Sequence, residues 1–245
     1  MAYRYVARSV EGFVQQLASN YLPHGYWFYV SGFVPEGKDP RAVDDKLLTK
    51  YGIAISRQSR ARRKLAGLAN LHYLRFERYF LLLASHGKHH FFAEEGKTIR
   101  DARHVPIMFS GYSISVKRGQ YLAKRDPSEP AVPDGKYRVR VQITRDWYRD
   151  MKAYFQTLAT HRSAETLGRE LYNVPFEPYA PVRQQMLNIL RLVNRQRKAA
   201  GYDLLPATVL RYQRRIVRPF EPLAAGTAVL QRAAGAILVV GGDQE

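Results

Sequence analysis

An α+β protein is expected, with a mixed or antiparallel sheet and packed helices through about residue 160 and a helical part after it. Three observations lead there. Runs rich in aromatic and β-branched residues, Tyr26–Val34, Leu71–Ser85 and Pro106–Val116, punctuate the first half of the chain. Residues able to cap helices, Ser9, Asp39 and Ser56, alternate with those runs. Past Thr160, apolar residues recur at helical spacing.

Taken in order, Ser9 caps a helix over Val10–Asn20, with Phe13, Val14 and Leu17 on one side, and Pro23, His24 and Gly25 turn the chain. The strand Tyr26–Val34 ends at Pro35-Glu36-Gly37. Asp39 before Pro40 starts a second helix, because the carboxylate caps and proline fills a position whose N–H has no partner anyway. Val43, Leu47 and Tyr51 share its face, and Gly52 stops it. Ser56 caps a third helix ending at Asn70, in which Ala61, Leu65 and Leu68 are expected to face the core. Leu71–Ser85 reads as two strands joined by a tight turn near Glu77. Lys117–Gly135, with three prolines and two glycines, reads as an exposed loop and the best internal boundary. Tyr137–Thr144 alternates as a half-buried strand should, and the helix Asp146–Thr160 turns Trp147, Met151, Tyr154 and Leu158 inward.

Ser163 then caps a short helix, VPFEPYAP is an extended linker, and a long helix runs from Pro181 to Ala200 with Val182, Met186, Ile189 and Val193 inward. Arg183, Arg191, Arg195, Arg197 and Lys198 fall mostly outside that face. The expected division is an α+β domain over 1–160, a helical part over 161–222 and an apolar Ala/Gly-rich tail over 223–245.

Charge narrows the partner. Lys and Arg number 39 against 21 Asp and Glu, giving a net charge of +18 in 245 residues. Such a surplus repels itself unless an anion offsets it, and phosphates do so with release of counterions. Nucleic acid is therefore the expected partner, DNA ahead of RNA. No cysteine is present, which excludes disulfides, thiolate catalysis and Cys-ligated zinc. The N-terminus lacks the apolar core of a secretory signal, and Gln231 and Arg232 interrupt the most apolar stretch, leaving it short of the ~20 residues of a bilayer span. A cytoplasmic protein without a membrane span is expected.

The charge is densest in the third helix: five of the eight residues 57–64 are basic, Arg57, Arg60, Arg62, Arg63 and Lys64. The order KYGI, then SRQSRARRKLAGL, then YLRFERYFLLLA resembles a winged helix-turn-helix domain: a support helix, a basic recognition helix and a wing. That resemblance covers residues 47–84 and implies a helix laid in the DNA major groove, with the hairpin touching backbone. It departs from the family in that Tyr26–Val34 reads as strand where the first helix of a trihelical core is expected. Arg57, Arg60, Arg62, Arg63 and Lys64 would contact phosphates, joined by Arg75 and Arg78 of the hairpin, whose neighbours Tyr73, Phe76, Tyr79 and Phe80 either stack bases or fill the core.

A catalytic alternative rests on other residues. His86, His89 and His90 cluster ahead of Glu94 and Glu95, and imidazole with carboxylate can hold a divalent metal. Tyr148 and Lys152 lie one helical turn apart. The order resembles HUH-type nucleases, the family of rolling-circle replication initiators and small transposases of mobile elements. That resemblance implies a metal on His86, His89 and Glu94, with Tyr148 as nucleophile assisted by Lys152. Its His-x-His pattern is missing here, since spacings of three and one do not bring imidazoles to one face of a strand. No cofactor is expected outside this alternative. A third reading is an RNA-binding structural protein clamping through its basic C-terminal helix.

Overall fold

The computed structural model describes residues 3–119, 122–123 and 130–220. These form an α+β fold in two compact units, the described residues up to 140 with 217–220, and 141–216. The division falls at Arg140, ahead of the helix that the expected 1–160 domain would have included. The expected 223–245 tail lies outside the described residues.

In the first unit, Ser9 accepts from the Gly12 N–H at 3.0 Å and starts α1 (Val10–Gln15), which widens to π-helical geometry over Gln16–Tyr21. Phe13, Val14 and Leu17 are buried, as their spacing predicts. Strand β1 (Phe28–Phe33) follows. Asp39 accepts from Arg41 N–H at 3.1 Å and opens α2 (Pro40–Lys50), and Gly52, at φ +55, makes the left-handed exit that a side chain would strain. Ser56 accepts from Ser59 N–H at 3.1 Å and opens α3 (Arg57–Leu65). Strands β2 (Leu71–Phe76) and β3 (Tyr79–Ala84) form a hairpin whose two-residue turn holds Glu77 at φ +51, a conformation that matches the strand twist. With β4 (Arg100–Asp101), the strands form an antiparallel sheet in the order β2-β3-β1-β4.

The outer edge of β2 is covered rather than bare. Arg75 N–H donates to the Tyr5 carbonyl at 2.8 Å and Ala7 N–H to the Arg75 carbonyl at 2.7 Å, so the N-terminal segment adds a parallel bridge. Tyr51, Ile53, Leu71, Tyr73, Leu82, Ala84 and Phe91 form one core cluster. Asp44 on α2 is fully buried, and its Oδ1 and Oδ2 accept from Arg75 Nε and Nη2 at 2.8 Å each, while the Tyr73 hydroxyl donates to Oδ1 at 2.6 Å. That pair ties α2 to the sheet.

A short helix, α4 (Phe91–Glu94), leads to a second sheet. Strands β5 (Ile107–Phe109) and β6 (Tyr112–Arg118) turn at Ser110-Gly111, where one continuous strand was expected, and the two positive φ angles there, +45 and +77, make the reversal. A two-residue pair, β7 (Leu122–Ala123) with β8 (Val132–Pro133), follows in the expected loop. Then β9 (Tyr137–Ile143) completes the order β5-β6-β9, with Tyr137–Arg140 inside this unit.

The second unit is helical beyond β9: α5 (Arg145–Leu158), α6 (Ala164–Tyr172) and α7 (Ala180–Ala199). Ser163 caps α6 through Thr166 N–H at 3.2 Å. Val182, Met186, Ile189 and Val193 of α7 are buried, as predicted. On α5, Phe155 takes the fully buried position expected of Tyr154, which is 43 % exposed and hydrogen-bonded to Glu170. Arg197, expected outside, is buried, because its guanidinium donates to the carbonyls of Ala159, Arg162 and Asp203 and closes the ends of two turns. Residues 208–217 are largely irregular, and Arg211 and Arg215 pair there with buried Glu177.

Candidate nucleic-acid interface

Helix α3 buries no residue. Ala61, Leu65 and Leu68, expected in the core, are exposed, Leu65 at 90 %. The helix docks instead through a cation. Arg60 Nη2 donates to the Ile53 carbonyl at 2.6 Å and Nη1 to the Leu71 carbonyl at 2.7 Å, so one guanidinium bridges the chain before α3 to the strand after it. Asn70 returns the contact, donating from Nδ2 to the Arg60 carbonyl at 2.9 Å. Two apolar residues in a nine-residue helix were too few to set its orientation, and a bidentate side chain that satisfies two carbonyls outweighs them.

The Arg60 guanidinium lies over the Tyr3 ring at 5.7 Å, beside a group drawn from distant segments that no local motif announces. His72 packs between Tyr21 and Tyr26, with ring centroids at 4.5 and 4.6 Å, and its Nδ1 lies 3.1 Å from the Tyr3 hydroxyl. Burial, and then the Arg60 charge, push the imidazole down to about 3. Burial pushes the Tyr3 phenol up to about 12. The cluster is therefore neutral apart from Arg60 at physiological pH.

The seven cations expected to contact nucleic acid divide accordingly. Arg57, Arg62 and Lys64 are exposed, with no carboxylate paired to them among the described residues. Arg63 is half-buried, and its Nε has no hydrogen-bond partner. Arg60 is a tether. Arg75 is only 8 % exposed and spends its charge on Asp44, so it is a core residue rather than a surface contact. Arg78 donates from Nε to the Val34 carbonyl at 2.9 Å and from Nη2 to the carbonyls of Pro35 and Lys38, holding the loop after β1. On a strand hairpin the alternation of aromatics with arginines says which residues share a face, but not which face is covered.

A substitution separates tether from phosphate contact at position 60. Arg60→Lys keeps the charge but cannot span two carbonyls. It is expected to cost about 2–3 kcal/mol, the worth of the charge-assisted bonds removed, and to lower hydrogen-exchange protection across α3. Unchanged denaturation of Arg60→Lys would return Arg60 to the surface cations.

The histidines have protein partners. His89 Nδ1 accepts from Phe91 N–H at 3.1 Å, and His90 Nε2 lies 3.0 Å from the Lys50 carbonyl. Their rings stack at 4.2 Å. Glu94 is paired to Lys50 at 2.7 Å, which holds its carboxyl below the usual range, and His86 packs near Phe28. Among the described residues no three His, Asp or Glu side chains are grouped as metal ligands. Tyr148 is half-buried and Lys152 exposed on α5, in the second unit, whereas the histidines belong to the first.

A second cationic group was not expected. Arg103 is held by a two-pronged bond to Asp101, with Nη2 at 2.6 Å from Oδ2, and lies over Trp27 at 4.6 Å and Tyr137 at 5.9 Å. Trp27 and Tyr137 are themselves in contact at 4.9 Å, and Arg118 covers Tyr137 at 5.3 Å. Lys117 Nζ donates to the Arg103 carbonyl at 2.7 Å. The residues come from positions 27 to 137, so no local motif announces them.

No helix among the described residues is long and apolar enough to cross a membrane. The chain matches no protein-family model and no curated protein.

Proposed function

We propose that the chain binds double-stranded DNA by laying α3 in the major groove, in the manner of a winged helix-turn-helix domain. One observation carries the reading: α3 has no acidic residue, and it is fastened by Arg60 so that Arg57, Arg62 and Lys64 point to solvent. The order α1-β1-α2-α3-β2-β3 and the sheet order β2-β3-β1 support it, since a helix precedes the strand that reads as a departure in the sequence. The net charge of +18 supports a polyanionic partner. Phosphate contacts set position, and one or two side chains of α3 reach base edges. Such a protein works in the cytoplasm, beside the DNA.

Arg57→Glu with Lys64→Glu tests this, because neither residue holds the fold. Duplex affinity is expected to fall, and the slope of log affinity against log salt to flatten by about 1.8, twice the ~0.9 per phosphate contact of duplex DNA. A wild-type slope in the double variant would remove α3 from the interface.

A further inference from the structure

We propose that the stacked group Trp27, Arg103, Tyr137 and Arg118 is a second binding face, which takes single-stranded DNA beside the duplex held by α3. The inference rests on the reading of the chain as a DNA-binding protein. It adds a separate site with a different form of the polymer.

Three features of the group point to an unpaired strand. Tyr137 remains 39 % exposed although three side chains pack on it, so part of an aromatic ring is offered to solvent at the start of β9. An unpaired base has a free face to lay on such a ring or on a guanidinium plane, while a base within a duplex is already stacked on its neighbours.

Among the described residues, the charge around the ring is also uncompensated. Lys117 and Arg118 are exposed, and among the described residues neither is paired to a carboxylate. Among the described residues, Asp101 is engaged by Arg103 and Asp134 by Arg138. Arg118 lies over the Tyr137 ring at 5.3 Å, and Lys117 is bonded to the carbonyl of Arg103, whose guanidinium covers the same ring. Like charges gathered on one edge are unfavourable until an anion arrives, and a run of phosphates supplies it.

Finally, the group is held in shape. Asp101 fixes Arg103 through its Nε, Nη2 and backbone N–H, Trp27 Nε1 donates to the Leu22 carbonyl at 2.9 Å, and Lys117 is tied to the Arg103 carbonyl. A ring held in place loses little freedom when a base stacks on it. The neighbouring residue Tyr26 packs on His72 at 4.6 Å, in the cluster that carries the α3 tether, so adjacent residues of one segment serve the two faces.

The test titrates three labelled probes, a single-stranded oligodeoxynucleotide, its blunt duplex and RNA of the same sequence, against the full chain and its variants. Tyr137→Leu is expected to weaken the single strand about tenfold, the range for loss of one base stack, with duplex affinity unchanged. Tyr137→Phe, which keeps the ring, is expected to bind as the wild type does. Lys117→Glu with Arg118→Glu is expected to flatten the single-strand salt slope by about 1.4, at ~0.7 per contact. Should Tyr137→Leu fail to fold, as judged by circular dichroism, the charge-reversed pair decides.

Wild-type single-strand binding in the charge-reversed pair, or in folded Tyr137→Leu, would overturn the inference. RNA bound more tightly than DNA would overturn its assignment to DNA. The Arg57→Glu, Lys64→Glu protein keeps the failures apart. Loss of duplex binding alone supports two faces; retained duplex binding with a working Tyr137 face overturns the role of α3 and leaves this one standing.

Discussion

Asp44→Asn is expected to destabilise the protein by about 3–5 kcal/mol, the usual cost of removing one partner of a buried ion pair. Asp44 is fully enclosed, and its carboxylate takes the Arg75 guanidinium and the Tyr73 hydroxyl. A neutral amide leaves Arg75 charged and buried without its counterion, and offers an N–H₂ group where only acceptors fit. The bond from Nη1 to the Glu77 carbonyl at 2.5 Å does not rescue it, since a neutral carbonyl does not replace the counterion. Urea denaturation reads the effect as a lower midpoint at unchanged slope. The double variant Asp44→Leu, Arg75→Leu is expected to recover much of the loss, because an apolar pair in place of a buried ion pair avoids the desolvation of both charges. A single Asp44→Asn within about 1 kcal/mol of wild type, against the buried-pair expectation, would show that water reaches the pair.

The second large effect is a loss of stability in acid. His72 has an ordinary value near 6.5 when the chain is unfolded and about 3 when it is buried in the folded protein. Between those two values the unfolded chain binds a proton that the native one excludes, so stability rises with pH. This contribution is complete above about 6.5 and is lost as the pH falls toward about 3. The slope is at most about 1.4 kcal/mol per pH unit for one proton. Arg60 is the charge that faces it; the surrounding Tyr3, Tyr21 and Tyr26 hydroxyls are neutral across this range.

His72→Phe keeps a ring among the tyrosines and removes the proton. The Tyr3 hydroxyl retains its bonds to the backbone of Tyr73. Denaturation midpoints of the two proteins between those pH values are expected to converge as the pH falls, with the variant showing the flatter profile. Parallel profiles would mean that the acid loss comes from carboxylates such as Asp101, whose bonds to Arg103 hold it low and whose stabilisation also fades in acid.

The capping residues Ser9, Asp39, Ser56 and Ser163 accept from the expected turns because a cap depends on residues within three positions of itself. The same locality made the buried stripe of α7 and the turn at Glu77 legible, and it put the densest charge of the chain on α3. The caps, the inward stripes of the first helix and of α7, the α+β class and the excess of cations were therefore determined by the sequence itself. What each cation does was not. Arg57, Arg60, Arg75 and Arg78 are alike in sequence, yet one is exposed, one bridges two carbonyls, one is buried on Asp44 and one holds a loop. An arginine's role depends on whether an acceptor from a distant segment lies within the reach of its fork, and only the assembled sheet and helices bring Asp44, Ile53, Leu71 and Val34 to theirs.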